Sequence, residues 1–392
     1  MGGNPGLGDT VCIVAANGEF LAYAAYSPAS QIRARCWSFV QSDTIDAAWF
    51  ATQMQAAVSL RAHLLSATNA RRMVFGEGDG LPGFVADLYD TTLVVQCMSA
   101  GAAKWRDTLV DALIAAIAAH DGITISCVVE RSDAAVRQRE GLPDMVQVLR
   151  GSIPNPLLVH EHGVQYAVDV LQGHKTGFYI DQRDSRKTVA DLVAEIAQSR
   201  TRETDAGKKN TPIRVLNCFS YTGGFSLAAM RQAVQLGVTL DVVSVDSSEL
   251  AIKTAQQNAR LNGIDPSLHE WRIENVDVAL KALHAAKREF DIVVLDPPKF
   301  APSAASLDRA ARAYKDVNLR GLRVLANGGH LLTFSCSGVM GVDLFQKVVA
   351  GSCMDSGQDT AMMGRLGAGR DHPMRMTHPE GEYLKGLWLQ RV

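Results

Sequence analysis

The residues best suited to chemistry form one short segment, Asp296-Pro297-Pro298-Lys299-Phe300, directly after the apolar run FDIVVL. Proline has no backbone N–H, fixes its own φ and favours an extended conformation in the residue before it. The paired prolines therefore hold the carboxylate and carbonyl of Asp296 stiffly. Beside an aromatic ring, such groups suit a planar base that bears an amino group. The segment predicts a base-binding turn, with a purely structural Pro-Pro turn as the alternative.

A thiol offers the second chemical group. Cys336 lies between Ser335 and Ser337 at the end of the apolar run HLLTF, next to Gly338. A lone cysteine is more often an inert buried residue than a nucleophile. At a strand end beside the Asp-Pro-Pro turn, however, its thiolate would be presented to a bound base and could attack it. We therefore expect Cys336 to be a nucleophile.

A glycine-containing loop and an acidic residue predict a cofactor site. The loop NCFSYTGG follows the run IRVL, and its two glycines allow a ligand to approach the backbone closely. It lacks the G-x-G-x-x-G spacing of dinucleotide sites, which disfavours an NAD-dependent dehydrogenase. Asp246 ends the next run, where a carboxylate can accept from both hydroxyls of a ribose, and Ser247 or Ser248 is placed to cap the following helix. After the third run, Asn275 and its polar neighbours are candidates for an adenine edge or for ordinary surface residues.

These groups need a scaffold that brings strand ends together, and the pattern from Asp181 onward predicts one. Apolar runs alternate with helical stretches, the strand-like runs being IRVLNCF, LDVVSVD, HEWRIENV, FDIVVLD and GHLLTFS. Such alternation is typical of an α/β fold with a doubly wound, mostly parallel sheet. Ligands of such sheets bind at the carboxyl ends of the strands. The polar stretch Arg200–Asn210 is predicted to be an exposed loop.

The first 170 residues have a different texture. Two strand-like runs flank Asn17-Gly18, a strong hairpin signal, and predict a small β unit within residues 10–40. An amphipathic helix over 45–65 follows. Residues 70–165 contain two strand-like runs, a helical stretch and a further strand, which predicts an α+β domain.

Composition excludes several classes of protein. The chain has 392 residues, 47% of them apolar, which is typical of two or three globular domains. No apolar run approaches the roughly 18 residues of a membrane span, and the start does not resemble a signal peptide, so we expect a cytoplasmic protein with no membrane partner. The seven cysteines are odd in number and form no C-x-x-C pair, which argues against a disulfide framework or a metal site.

The net charge of −2 hides an asymmetry between the two halves of the chain. Residues 1–170 carry 11 Lys and Arg against 17 Asp and Glu, whereas residues 171–392 carry 28 against 24. A polyanion such as a nucleic acid is therefore expected to contact the second half.

The motifs together resemble a known family. NCFSYTGGFS, Asp246, DPPKF and TFSCS are similar to the motif series of class I S-adenosylmethionine (SAM)-dependent methyltransferases. More closely, GHKTGFYIDQRDSRK at 173–187, SPASQIRAR at 27–35 and DHP with PEGEYLKG at 371–386 resemble the bacterial 23S ribosomal RNA cytosine-5 methyltransferases. The resemblance runs from about Leu7 to the C-terminus. It implies a small β, PUA-like RNA-binding domain at 1–52, a central α+β domain at 53–170 and a Rossmann-like SAM-dependent methyltransferase domain at 171–392.

The resemblance implies a covalent reaction on RNA. Cytosine C5 is a poor nucleophile, so the Cys336 thiolate would first add to C6 and make C5 able to accept the methyl group of SAM. Asp296 would hold the exocyclic amine and N3 side of the ring and stabilise the charge that develops on addition. Because a base inside a helix is out of reach, the target cytosine of 23S ribosomal RNA must be unpaired or flipped out.

The resemblance also implies which residues bind each partner. The expected cofactor-binding residues are Phe219, Ser220, Tyr221 and Gly223 at the methionine part, Asp246 and Ser247 at the ribose, Asn275 at the adenine, and Gln182 and Arg183 toward the amino acid end. Asp296 is expected to contact the cofactor as well as the base. The expected RNA-binding residues are Pro297, Pro298, Lys299, Phe300, His174 and Lys175. No metal is implied, and the oligomeric state stays open, a homodimer included.

The chain also departs from the family pattern. It begins where the family's PUA domain is already under way, so we expect that domain to be N-terminally incomplete. Asn275 stands where relatives commonly carry Asp, and would accept from the adenine amine through its carbonyl. Another branch of RNA cytosine-5 methyltransferases has a second cysteine where this chain has Pro298 and Lys299. The base that removes the C5 proton is therefore unidentified.

Two other functions stay open at the level of sequence. The first is an RNA base amino-group methyltransferase acting on adenine N6 or guanine N2, because Asp-Pro-Pro-aromatic turns also hold exocyclic amines for direct transfer; this reaction needs no thiol. The second is a non-catalytic RNA-binding assembly factor with a vestigial cofactor pocket. The presence of both Asp296 and Cys336 argues against the second.

Overall fold

The computed structural model describes residues 3–205, 211–301 and 303–392. Residue contacts divide the chain into two compact units. Unit 1 comprises the chain up to His162 with Ala167–Ile180 and Arg370–Gly381; unit 2 comprises Gly163–Tyr166, Asp181–Gly369 and Glu382–Val392. The division into three domains with boundaries at 52 and 170 stays a prediction. Within the described ranges, no helix is long and apolar enough to cross a membrane.

Unit 1 begins with a three-stranded antiparallel sheet in the order β1-β2-β3. Its strands are β1 (Thr10–Val14), β2 (Phe20–Tyr26) and β3 (Ala34–Ser38). Gly18 closes the first hairpin at φ 88°, a left-handed conformation that glycine adopts without strain. The predicted hairpin at Asn17-Gly18 is confirmed.

The remainder of unit 1 packs helices on a five-stranded sheet, in the order β4-β5-β6-β7-β8. Its elements are α1 (Ala47–Leu60), β4 (Ala70–Phe75), β5 (Phe84–Tyr89), β6 (Thr92–Cys97), α2 (Ala100–Lys104), α3 (Arg106–Asp121), β7 (Cys127–Ser132), α4 (Val136–Arg139), β8 (Met145–Gly151) and β9 (Leu158–Glu161). Phe50 and Met54 of α1 and Leu109 and Leu113 of α3 are fully buried in the core of this unit. The predicted helix near 45–65 is thus confirmed as α1, which Asp46 caps.

Unit 2 contains the alternating elements that the sequence predicts. β10 (Val164–Ala167) begins in Gly163–Tyr166, the first segment of unit 2. A long helix, α5 (Arg183–Asp205), then precedes the main sheet. The elements from this helix onward are α5 (Arg183–Asp205), β11 (Ile213–Cys218), α6 (Gly224–Leu236), β12 (Leu240–Asp246), α7 (Glu249–Leu261), β13 (Glu270–Ile273), α8 (Val276–Ala285), β14 (Phe290–Leu295), α9 (Leu307–Leu322), β15 (Leu325–Ser335), α10 (Val342–Ser356), β16 (Thr360–Gly367) and β17 (Lys385–Arg391).

The main sheet of unit 2 has seven strands in the order β13-β12-β11-β14-β15-β17-β16. The first five are parallel, whereas β17 runs antiparallel to both of its neighbours. The chain builds outward from β11 to β13 and then returns to place β14 on the other side of β11. The predicted doubly wound, mostly parallel sheet is confirmed, and its switch point lies between β11 and β14.

The loop predicted at Arg200–Asn210 is wrong for its first six residues. α5 continues to Asp205, and residues 206–210 lie outside the described ranges. The apolar side of α5 is supplied earlier, by the buried Val189, Leu192 and Val193. Arg200 then adds an ion pair, with Nη2 2.7 Å from Oδ1 of Asp291. A solvated helix end needs no apolar periodicity, so the pattern did not reveal it.

A chain of buried polar side chains joins β11 and β12 to α6, the helix that connects these two strands. Asn217 on β11 donates through Nδ2 to Oγ of Ser226 on α6 at 2.9 Å, and that hydroxyl lies 2.7 Å from Oγ of Ser244 on β12. All three side chains are fully buried. In this surrounding each group depends on the others for its hydrogen bond.

We expect Ser226→Ala to lower the free energy of unfolding of unit 2 by about 1–3 kcal/mol, because it leaves the Asn217 amide and the Ser244 hydroxyl buried without this partner. Urea unfolding followed by circular dichroism measures the change. Ser199→Ala, at an exposed position of α5, is the matched control and should have almost no effect. Equal stabilities of the two variants would contradict the prediction.

Candidate functional site

The loop after β11 lies at the switch point and has an unusual backbone. Phe219 and Tyr221 have φ of 59° and 48°, in the left-handed region that non-glycine residues seldom adopt, and Gly223 has φ of 84°. Strained residues of this kind persist only where the surroundings hold them, and they cluster at ligand-binding sites. The loop therefore places its backbone and the side chain of Ser220 at the carboxyl edge of the sheet.

Asp246 holds this loop in place. Its Oδ2 accepts from the backbone N–H of Tyr221 at 2.8 Å, and its Oδ1 accepts from that of Ser248 at 2.9 Å. The N–H of Ser220 also donates to the carbonyl of Val245, 3.0 Å away. The half-buried carboxylate therefore joins the end of β12 to the loop after β11, and presents negative charge at the edge where a ribose would bind.

A second contact joins the start of α5 to the end of β14. Gln182, just before the helix, donates through Nε2 to Oδ2 of Asp296 at 3.0 Å. One residue earlier, Oδ2 of Asp181 accepts from the hydroxyl of Tyr383 at 2.6 Å. The motif DQR and the motif DPPKF, separated by more than a hundred residues, are thus brought together at the edge of the sheet.

The proline turn itself is partly buried. Pro297 is buried, whereas Pro298 and Lys299 are exposed. The ring of Phe300 packs at 4.9 Å, centroid to centroid, against Tyr314 of α9. The turn is therefore anchored to the core by its two ends, while its middle faces solvent.

Cys336 follows the last residue of β15, and its thiol is half-buried within a polar wall. The hydroxyl of Tyr314 lies 3.0 Å from Oγ of Ser335 and 3.1 Å from Oγ of Ser337. Burial raises the pKa of Tyr314, so its hydroxyl stays protonated. On the other side, Nζ of Lys385 donates to the carbonyl of Ser337 at 2.8 Å.

Several buried polar atoms of these elements have no hydrogen-bond partner among the described residues. They include Oγ of Ser220 and Oε1 of Gln182, which belong to predicted site residues at most 5% exposed. Natural proteins rarely leave such atoms without a partner, except where a ligand or water completes them. The donor and acceptor set of this edge, a carboxylate, a hydroxyl and an amide oxygen, fits a ligand with ribose hydroxyls and an amino group.

The other predicted site residues lie in different surroundings. Asn275 is exposed, and its side-chain oxygen accepts from the N–H of Asp277 at 2.8 Å to cap α8. Ser248 caps α7, which leaves the exposed Ser247 outside the cap. Arg183 is fully buried at the first position of α5. The predicted ligand roles of these residues stay predictions.

His174 and Lys175 belong to unit 1 and are described within it. The ammonium of Lys175 lies 4.4 Å from the ring centroid of Tyr179, and Nδ1 of His174 lies 3.1 Å from the hydroxyl of the same tyrosine. This exposed group combines a cation, an imidazole and a phenol, a set that suits phosphate and base contacts. Its predicted contact with RNA stays a prediction.

Two residues of the site were not singled out from the sequence. Tyr314 lies in the middle of α9, and nothing in its local pattern distinguishes it from a core aromatic. Lys385 lies within PEGEYLKG, at the start of the apolar strand β17. A lysine in an apolar strand is the signal that could have identified it, because a buried charge is costly unless it is paired.

This combination of fold and site defines a class of enzyme. Residues 124–354 match the family model described as S-adenosylmethionine-dependent methyltransferase, and residues 2–39 match a PUA-like domain. The first match covers more than half of the chain. The chain belongs to the S-adenosylmethionine-dependent methyltransferase family, and SAM is its cofactor.

Similar proteins carry a more particular name. Ribosomal RNA large subunit methyltransferase I of Alteromonas mediterranea is 42% identical over 388 residues, which cover 98% of this chain and 90% of that protein. The proteins of the same name from Shigella boydii and Escherichia coli are also 42% identical, covering 99% of this chain and 91% of each relative. The similarity extends through the N-terminal sheet, the central sheet and the main sheet.

Solved structures share the fold at lower identity. A Streptococcus mutans protein assigned as a SAM-dependent methyltransferase superposes with a TM-score of 0.77 at 20% identity, over 99% of this chain and 93% of that one. A crystal structure of a protein assigned as a methyltransferase, in complex with SAH, gives a TM-score of 0.78 at 20% identity, over 98% and 91% of the chains. These likenesses concern the fold of the whole chain.

We expect Asp246→Asn to weaken SAM binding by roughly ten- to a hundredfold, because hydrogen bonds to a charged acceptor are worth about 1.5–3 kcal/mol and the amide removes that charge. Isothermal titration calorimetry with SAM measures the loss. Asp265→Asn is a matched control, since Oδ1 of this exposed carboxylate also accepts from the N–H two residues on. Undiminished affinity in Asp246→Asn would contradict the ribose role.

Proposed function

We propose that the protein transfers the methyl group of SAM to C5 of a cytosine in 23S ribosomal RNA, through a covalent adduct with Cys336. The observation that carries this proposal is the position of two groups on neighbouring strands. Asp296 follows β14 and Cys336 follows β15, and these strands pair in parallel with Leu295 opposite Thr333. A carboxylate and a thiol at adjacent strand ends are the pair that cytosine-5 chemistry needs.

Large-subunit ribosomal RNA is the proposed substrate because the relatives at 42% identity are named for it. The match to a PUA-like domain at residues 2–39 supports an RNA partner. His174, Lys175 and the exposed Lys299 are proposed to contact the RNA, with Pro297, Pro298 and Phe300 shaping the base site.

The proposed cofactor site uses the loop after β11 and the carboxylate that holds it. Phe219, Ser220, Tyr221 and Gly223 would surround the methionine part. Asp246 would accept from the ribose hydroxyls, with Ser247 beside it and Asn275 toward the adenine. The buried Ser220 hydroxyl and Gln182 amide oxygen would gain their missing partners from the amino acid end, where Arg183 would meet the carboxylate.

The chemistry starts with the thiol. SAM supplies an electrophilic methyl group bound to a sulfonium. The Cys336 thiolate adds to C6 of the cytosine, which breaks the C5–C6 double bond and leaves C5 nucleophilic. C5 would then take the methyl group as the bond between the methyl carbon and the sulfonium breaks, which leaves S-adenosylhomocysteine. A base then takes the C5 proton, the electron pair of the C5–H bond re-forms the C5–C6 double bond, and the bond between sulfur and C6 breaks to return the thiolate.

Asp296 is proposed to orient the base during this sequence. Its carboxylate is restrained by the proline after it and by Nε2 of Gln182. A carboxylate held in this way can accept from the exocyclic amine of cytosine and so orient the ring for attack at C6. The base must leave its stack to reach this position, which costs least in a single-stranded or loop region of the RNA.

Replacing the thiol tests the covalent step. We expect Cys336→Ala to lower methyl transfer at least about a thousandfold, since removal of a nucleophile from a covalent mechanism leaves only binding and orientation. Tritium transfer from labelled SAM to ribosomal RNA from cells lacking the enzyme measures the rate. Cys353→Ala, at another half-buried cysteine, is the matched control and should retain activity. Retained activity in Cys336→Ala would favour the amino-group methyltransferase.

Two further readouts separate the proposal from its rivals. Nucleoside analysis of the product should yield 5-methylcytidine rather than N6-methyladenosine or N2-methylguanosine. RNA containing 5-fluorocytidine at the target should form a stable complex with the wild type and none with Cys336→Ala, because fluorine at C5 cannot leave as a proton. An inability to bind SAM would instead support the assembly factor.

A further inference from the structure

A buried lysine lies beside the proposed nucleophile. Lys385 is the first residue of β17 and pairs with Ser335 of β15 in the antiparallel ladder, directly before Cys336. It is only 5% exposed, although lysine is almost never buried without a partner. Its hydrogen-bond partner in the described part of the chain is the neutral carbonyl of Ser337, at 2.8 Å. Because a carbonyl carries no net charge, the positive charge of this buried ammonium can stabilise a nearby anion.

Two anionic groups favour the charged form of Lys385, and one of them is the Cys336 thiolate. Burial lowers the pKa of the Lys385 ammonium, and the nearby Lys299 acts in the same direction. The carboxylate of Glu382 and the thiolate of Cys336 act against both and favour the charged form. Electrostatic effects between two titrating groups are reciprocal, so the ammonium that the thiolate favours must in turn favour the thiolate.

Hydrogen bonds restrict the motion of the turn from Ser335 to Gly338, which carries Cys336. The Lys385 ammonium binds the carbonyl on the C-terminal side of Cys336, while the Tyr314 hydroxyl binds the side chains of Ser335 and Ser337 on both sides of it. Oγ of Ser337 also accepts from the N–H of Ala301, just after the proline turn, at 3.1 Å. The turn that carries Cys336 is therefore held by hydrogen bonds to the Lys385 ammonium and to the Tyr314 hydroxyl.

We propose that Lys385 is a positioning residue that keeps Cys336 in its thiolate form and fixes the turn from Ser335 to Gly338 toward the base. The proposal rests on the proposed function, because it presumes that Cys336 is the nucleophile. Lys385 forms no bond in the reaction. It acts through its charge and through its hydrogen bond to the Ser337 carbonyl. It does so before the thiolate adds to the base and again when the thiolate leaves.

Alkylation by iodoacetamide tests the charge without requiring catalysis. Only the thiolate reacts, so the rate at Cys336 follows its ionisation, and mass spectrometry separates this cysteine from the other six. We expect Lys385→Gln and Lys385→Met to slow alkylation near neutral pH about tenfold and to move its pH midpoint upward by about one unit. Lys385→Arg keeps the charge and should stay within about threefold of the wild type.

The set of variants separates charge from structure. Gln can still donate to the Ser337 carbonyl, so a slow Lys385→Gln beside a normal Lys385→Arg assigns the effect to charge. Lys347→Met, at an exposed position of α10, is the control and should leave the rate unchanged.

The outcomes that overturn the inference differ from those that overturn the proposed function. A Lys385→Gln variant whose Cys336 reacts as fast as the wild type across the pH range would sink the inference, as would an equally slow Lys385→Arg. Calorimetry with SAM on each variant confirms that the cofactor site is intact. Methyl transfer retained in Cys336→Ala would overturn the role of Cys336 as the nucleophile. The alkylation rates would still decide whether Lys385 stabilises the Cys336 thiolate.

Discussion

The parallel pairing of β11, β14 and β15 is the constraint on which the rest of unit 2 depends. In a parallel ladder all carboxyl ends point the same way, so residues far apart in sequence emerge at one edge. Cys218 pairs with Leu295, and Leu295 pairs with Thr333, which aligns the three strand ends to within a few residues. The strained loop, the proline turn and the thiol are therefore neighbours because the ladder allows no other arrangement.

Much of the polar chemistry at this edge serves structure and ligand at once. Left-handed backbone at Phe219 and Tyr221 costs of the order of 1–3 kcal/mol per residue, and the carboxylate of Asp246 offsets part of this cost by binding the Tyr221 N–H. The same carboxylate is proposed to accept from the ribose. Similarly, Gln182 both restrains Asp296 and holds a buried oxygen ready for a ligand. Such sharing explains why the edge is preorganised.

The cysteines of the chain show how position decides reactivity. Burial raises the pKa of Cys97 to about 12 and that of Cys218 still further, because an apolar surrounding penalises the thiolate. Both are small apolar residues within strands. Cys336 differs because it follows a strand, is half-buried, and adjoins two serines, a tyrosine hydroxyl and a lysine. The same residue type is thus inert inside the sheet and suited to nucleophilic chemistry at its edge.

Local patterns in the sequence were sufficient to predict the fold class and to single out the residues whose side chains are chemically reactive or charged. Alternating apolar runs predicted the parallel sheet, and Asp296, Cys336 and Asp246 followed because strand ends are where such sheets bind ligands. Periodicity did not reveal that α5 extends through Arg200, since an ion pair rather than an apolar stripe supports its end. Nor did it reveal that Asn275 caps its own helix, because that depends on a side-chain rotamer.

Tertiary structure alone decided which distant residues surround the reactive groups. Gln182 reaches Asp296, Tyr314 spans the serines beside Cys336, and Lys385 enters from an antiparallel strand added at the far end of the chain. Residue type and short-range spacing are properties of a segment, so the chain by itself determined its strands, its helices and its candidate chemistry. Contacts between segments arise only when burial of apolar surface packs the sheet, so the electrostatic surroundings of the thiol belong to the folded molecule.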